Sequence, residues 1–181
     1  KGLHTLLEAV SRAGRDPSTS SGQVASYELD VVGGMTAESK YVDKIKRQVS
    51  VNGLSSIVTF HGALDNDPLI EKLKQAHVLV VPSSYEGFGI VYLEGMGFGL
   101  PAIGTTAGAA GEIITHGEDG YLIHPNDSVS LANHLDELAR NRDLLVRLSL
   151  NAVKRYKSQP RWEESAKNIR EFLYAIVKAL K

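Results

Sequence analysis

The sequence predicts an α/β fold: a parallel sheet with helices on both faces. Two observations carry this. Short apolar stretches closed by glycine or proline alternate with longer segments of helical spacing from residue 27 to residue 123, and such alternation joins parallel strands through crossover helices. Gly33-Gly34, Gly62, residues 82–89 and Gly104 to Gly111 all follow predicted strands. In an open sheet these carboxyl ends form one ligand-binding edge.

Taken in order, Leu3, Leu6, Leu7 and Val10 predict a helix that ends near Gly14, and Asp16 to Gly22 is a polar loop. Tyr27 to Val32 is a strand, followed by a helix from about Ala37 to Val51 that stops at Asn52-Gly53. Ile57 to His61 is the next strand. Asp67 is the expected N-cap of the helix after it, with Pro68 in the first helical position. His77 to Val81 is a strand, Gly89 to Phe98 a helix, Ala102 to Gly104 a strand, Gly111 to Thr115 a helical turn and Tyr121 to Ile123 the last strand. Beyond Asp127-Ser128, which can cap, the chain is helical over about 129–140, 143–156 and 162–179. Trp162, Ala166, Ile169, Leu173, Ile176 and Leu180 predict one buried stripe on the final helix.

The chain has 181 residues, 43% of them apolar, enough for one domain with a sizeable core. With a net charge of -1 there is no global basic field to attract nucleic acid, so a polyanionic ligand needs a local site. The absence of cysteine excludes disulfides and thiolate metal ligands. No apolar run approaches the ~18 residues of a membrane span, and no signal-peptide pattern opens the chain. The expectation is a soluble cytoplasmic protein. Lys1-Gly2 leads straight into a helix with no strand before it, which predicts a piece of a longer chain.

The stretch with the most chemistry is VVPSSYEGFGIVYLEGMGFGLP, residues 80–101. A strand stops at Pro82, a loop carries Gly87 and Gly89 on either side of Phe88, and a helix begins at Ile90. Backbone N–H groups can approach phosphate oxygens there, and the helix start adds about half a positive charge. The same glycines would serve a bare strand-to-helix turn. Glu86 in the loop and Glu94 on the helix have seven residues between them, a separation that suits a long, phosphate-containing ligand. Glu94 can accept from two vicinal ribose hydroxyls. It could equally be a solvated helix residue, but a carboxylate buried on so apolar a helix would require a partner.

Elsewhere the signals are weaker. Asp65-Asn66-Asp67 could share a divalent cation, but a helix start explains it better, and no metal is expected. The six histidines form no ligand cluster at helical spacing, and there is no nucleophile-elbow serine. Ser83-Ser84 are read as hydrogen-bonding the loop or a phosphate. Asn126-Asp127-Ser128 has the form of a glycosylation acceptor, read as coincidence without a secretory signal.

Five stretches in order resemble the C-terminal, donor-binding domain of retaining glycosyltransferases of the GT-B fold (glycosyl transferases group 1, family four). They are Lys1-Gly2 with LHTLLEAV, Leu29 to Gly34, Val58 to Gly62, PSSYEGFGIVYLEGMGFGLP with its two glutamates in an E-x7-E block, and GAAGEIITHGEDGYLIHPND. The resemblance covers nearly the whole chain. It implies a Rossmann-like C-terminal half of a GT-B fold lacking its first strand, with residues 1–181 as the donor domain and the acceptor domain absent.

It further implies transfer of a hexose from a UDP- or GDP-type sugar with retention of configuration, without an obligatory metal or other cofactor. The acceptor would be a sugar or a lipid-linked sugar met through the absent domain, and the piece alone would be inactive. Lys1 would contact the diphosphate, the backbone of Gly87, Phe88, Gly89 and Ile90 the phosphates and sugar hydroxyls, and Glu94 the ribose. Glu86 would face the transferred sugar near the reacting carbon, and the backbone of Gly62 to Leu64 would lie near the base. An alternative on the same fold is a catalytically silent nucleotide-binding or assembly module, and a sugar epimerase or phosphorylase is a third reading.

The sequence departs from the family pattern at three places. The usual E-A-M-A is here Glu94-Gly95-Met96-Gly97, the usual G-G-x-x-E is Gly108-Ala109-Ala110-Gly111-Glu112, and the strand before Lys1, with its assisting arginine, is absent. Each helical glycine is expected to loosen the helix by up to ~1 kcal/mol.

Overall fold

The computed structural model describes residues 2–13, 27–36 and 38–180. Expectations for Lys1, Gly14, the Asp16 to Gly22 loop and Ala37 lie outside these residues. The elements are α1 (Leu3–Ala13), β1 (Leu29–Val32), α2 (Ser39–Val51), β2 (Val58–Gly62), α3 (Asn66–Gln75), β3 (Leu79–Val81) and α4 (Ile90–Gly97). They continue with β4 (Ala102–Thr105), α5 (Ala110–Ile113), β5 (Gly120–Ile123), α6 (Ser128–Arg140), α7 (Arg142–Lys157) and α8 (Trp162–Ala179). The alternating pattern of the sequence thus becomes alternating structure.

All strand pairs are parallel. β1 runs beside β2, with Leu29 opposite Val58 and a bulge between Val31 and Val32, while β4 lies between β3 and β5. The strands form two sheets, β1-β2 and β3-β4-β5. The three residues of β3 are all half-buried, and α3 has no buried residue.

One core joins the two sheets to α1, α2, α6 and α7. It contains Leu6, Leu7, Val10, Ile45, Ile103, Tyr121, Ile123, Leu131 and Leu148, with Leu29, Val31, Val78 and Val80 packed against it. A second core lies against the larger sheet, where Tyr92 and Met96 of α4, Ala110 and Ile113 of α5, Ala102 of β4 and Ala152 of α7 meet. This second core carries the loops after β3 and β4.

Three expectations change. The helix after β2 begins two residues earlier than predicted, with Asp65 as N-cap and Leu69 N–H donating to its carbonyl at 3.1 Å. Pro68 is therefore third in the helix, still in the turn whose N–H groups have no intrahelical acceptor, so its missing donor costs nothing. Tyr27 does not extend β1, and its phenol donates instead to Asp136 on α6. The stripe expected to be buried on α8 is not: no α8 residue is buried, and Trp162, Ile169, Leu173 and Leu180 are all exposed. Periodicity shows which face of a helix is apolar, but burial requires a second surface, and no described element covers this one. Among the described residues no helix is long and apolar enough to cross a membrane.

Candidate functional site

The loop from Pro82 to Gly89 leaves β3 at its carboxyl end and enters α4 through Gly89, which has the left-handed φ of 83°. A Cβ at Gly89 would lie 2.7 Å from the ring of Tyr92, so the turn requires glycine both for its backbone conformation and for the approach of that ring. Tyr92 is buried, and its phenol donates to the carbonyl of Val81 at 2.9 Å, which fastens the helix start to the strand end. Burial, and after it the charge of Glu86, hold that phenol above its ordinary pKa, so it stays a donor.

Glu86 is held by the neighbouring loop. Its N–H donates to the carbonyl of Ala107 at 3.2 Å, and its carbonyl accepts from Ala109 N–H at 2.8 Å. The two loops are bridged like strands at Glu86 and Gly108. Gly108 has φ 87° and its hydrogen faces the Glu86 carbonyl, where a Cβ would come to 2.1 Å. Below this, the buried Thr105 hydroxyl donates to the carbonyl of Ser83 at 2.6 Å, and the Ser83 hydroxyl reaches the Glu86 carboxylate at 3.4 Å. The Glu86 backbone is therefore fixed by the ends of both β3 and β4.

Beside it the start of α4 is open. Gly87 is exposed, Phe88 and Ile90 are 62% and 58% exposed, and no atom lies within 4 Å of a Cβ built at Gly87. Orphan N–H groups of the first turn are accessible here. Glu94 lies one turn further along the same face, since residues four apart are neighbours on a helix. It is exposed, so the expectation that burial forces a partner on it is not met. The departure to glycine at position 95 has a local cause, because a Cβ there would lie 2.7 Å from Leu79 of β3.

The remaining predicted positions are placed separately. Gly62, with φ 72°, and the half-buried Leu64 sit at the carboxyl end of β2, in the other sheet. Lys1 lies outside the described residues, but Gly2 packs so closely on Pro82 that a Cβ would meet its carbonyl at 1.8 Å, which brings the start of α1 to this loop. Among the described residues no group of three or more His, Asp or Glu side chains is arranged to hold a metal. Sequence reasoning missed Thr105, Tyr92 and the Ala107 to Ala109 bridge. A lone phenol on an apolar helix was the available signal for Tyr92; backbone bonds between loops leave none.

Four similarities bear on this geometry. Residues 1–155 match the family model for Glycosyl transferases group 1. An uncharacterised glycosyltransferase of Methanocaldococcus jannaschii is 32% identical over 171 residues, covering 94% of this chain and 44% of the relative. The chain thus spans less than half the length of that relative. Among solved structures, Anabaena HepE in complex with UDP superposes with a TM-score of 0.82 at 25% identity, covering 97% of this chain and 45% of that one, and the same protein is known with UDP-glucose. The C-terminal domain of a group 1 glycosyl transferase from Francisella tularensis gives 0.74 at 26% identity, covering 88% of this chain and 79% of that one.

Proposed function

Because this chain belongs to the group 1 glycosyl transferases and has the fold of a GT-B C-terminal domain, we propose that residues 1–181 are the donor-binding domain of a retaining hexosyltransferase. The donor in this reading is a nucleotide diphosphate sugar of UDP or GDP type. The observation that carries it is the pairing of a rigidly held Glu86 with an open α4 start and an exposed Glu94 on the same edge. The neighbour solved with UDP and with UDP-glucose supports the ligand class.

The diphosphate then lies against the N–H groups of Gly87 to Ile90, with Lys1 as its cation. Glu94 accepts from the ribose hydroxyls, the backbone of Gly62 to Leu64 flanks the base, and Glu86 faces the sugar near the reacting carbon. As the bond to the anomeric carbon breaks, negative charge grows on the departing diphosphate. Preorganised N–H groups and the dipole of α4 stabilise that charge without a metal or other cofactor. The acceptor, a sugar or lipid-linked sugar, is bound by the rest of the parent protein.

A panel of UDP- and GDP-sugars titrated against the parent protein tests this by thermal shift and product formation. One donor is expected to bind and be turned over. Glu94→Ala should weaken nucleotide binding, and Glu86→Gln should keep nucleotide binding while lowering transfer by about 100-fold or more. Absence of binding, together with an inert Glu94→Ala, would overturn the assignment. Binding without transfer would identify a catalytically silent nucleotide-binding module.

A further inference from the structure

One side chain of α7 reaches the loop that clamps Glu86. Arg155 donates from Nε to the carbonyl of Ile113 at 2.9 Å, and from Nη2 to the carbonyl of Glu112. Both acceptors lie in α5, a helix of four residues. So short a helix cannot sustain itself, because one turn costs more in chain entropy than its hydrogen bonds return. Its last carbonyls lack intrahelical donors, and a cation at that end is favoured. Arg155 supplies both needs at once.

The position of α5 matters because of what precedes it. Gly108 and Ala109 lead directly into Ala110, and Ala109 is the residue whose N–H meets the Glu86 carbonyl. α7 also packs against α4 and buries Ala152 in the core shared with Tyr92, Ala110 and Ile113. The same helix therefore supports the α4 start and the α5 loop. Its apolar contact is non-directional, whereas the two Arg155 bonds fix α5 in rotation and in height. A guanidinium offers two donors in a rigid fork, which a lysine ammonium cannot reproduce.

We propose that Arg155 is a positioning residue for the sugar end of the donor site: by holding the carbonyls of Glu112 and Ile113 it fixes Ala109 against Glu86, and so the direction of the Glu86 carboxylate. This rests on the reading of Glu86 as the residue that faces the sugar. Arg155 acts through α5 and touches no donor atom. Its loss is felt by the sugar and not by the nucleotide.

The test compares this chain with its Arg155→Met, Arg155→Lys and Lys154→Met variants, the last removing an exposed charge one residue away. Amide hydrogen exchange is read at Ala109 and at Ile103 in β4, together with binding of UDP and of UDP-glucose. In Arg155→Met the Ala109 amide should exchange about tenfold faster while Ile103 is unchanged, with Arg155→Lys intermediate and Lys154→Met like the parent. UDP affinity should stay within about twofold, and UDP-glucose should weaken by about fivefold or more. An unchanged Ala109, or equal acceleration at Ala109 and Ile103, overturns the proposal, the latter because it marks a general loss of stability. If the unsubstituted chain binds neither ligand, GDP and GDP-mannose replace them; binding of none of the four overturns the donor reading, and the role toward the sugar falls with it, while Ala109 exchange still shows whether Arg155 orders the loop.

Discussion

The phenol of Tyr92, in the first turn of α4, donates to the carbonyl of Val81, the last residue of β3, at 2.9 Å. This bond sets the angle at which the chain leaves the sheet and enters the helix, and the open N–H groups of the candidate site depend on that angle. Tyr92→Phe keeps the ring against Gly89 and removes only the donor. The Val81 carbonyl keeps its second donor, the Ser83 N–H at 2.9 Å, so the loss is that of one hydrogen bond, about 0.5–1.5 kcal/mol. Urea denaturation should therefore show a loss in that range, with an unchanged m-value, and an unaltered midpoint would show that the Ser83 N–H alone holds Val81 and the strand end.

Gly108 makes a sharper case because two constraints coincide there. Its φ of 87° disfavours any side chain, and a Cβ would stand 2.1 Å from the Glu86 carbonyl oxygen. Gly108→Ala must open the bridge between the two loops or shift Glu86. A stability loss of about 1–3 kcal/mol is expected from the backbone alone. Loss of Ala109 amide protection should accompany it, and a protected Ala109 in this variant would mean that the loops yield without separating.

What was legible in the sequence divides along physical lines. The parallel strands were visible because short apolar runs are bordered by glycine or proline, and the Glu86 to Ile90 stretch was visible because its glycines and carboxylates are local in sequence. The cap of α3 was misplaced by two residues, since Asp65 and Asp67 are chemically alike and only the backbone chooses between them. The exposure of α8 was invisible because apolar spacing does not encode the presence of a packing partner. The clamp on Glu86 was invisible for a related reason: its bonds run between backbones some twenty residues apart and leave no residue-type signature.

At α6 the sequence signal was a single Asp-Ser pair, and the structure makes it a full cap. Asp127 Oδ1 accepts from Ser130 N–H at 2.9 Å and Oδ2 from the Ser130 hydroxyl at 2.6 Å. These bonds hold the carboxyl of Asp127 below its ordinary value of 3.8. The stabilisation is present above that value and is lost as pH falls through the lowered one. Asp127→Ala should cost about 1 kcal/mol at neutral pH, measured by thermal unfolding, and the gap from the parent should close under strong acid. A gap that persists there would assign the effect to packing.

His134 predicts a pH response in a different range. Its ring stacks on Tyr121 at 3.9 Å between centroids, with His116 edge-on to both, and the Tyr121 phenol donates to Glu137 at 2.9 Å. Burial lowers the pKa of His134 from 6.5, opposed by the Glu137 carboxylate 3.5 Å away and assisted by His116, while Asp127 raises it slightly. The Tyr121 phenol is pushed up to about 12 by burial and by Glu137, so it does not titrate in this range. The unfolded chain then takes a proton at His134 near pH 6.5 and the folded chain only at lower pH, so the unfolded state binds more protons in between. Stability from this group is therefore complete above about pH 6.5 and declines as pH falls below it, levelling off beneath the folded value. Urea midpoints at pH 7.5, 6.5 and 5.5 should show that decline in the parent chain, and His134→Phe, which keeps the stack and removes the titration, should flatten it. An equal decline in both chains would place the titrating group elsewhere and leave the stack with Tyr121 as a packing contact alone.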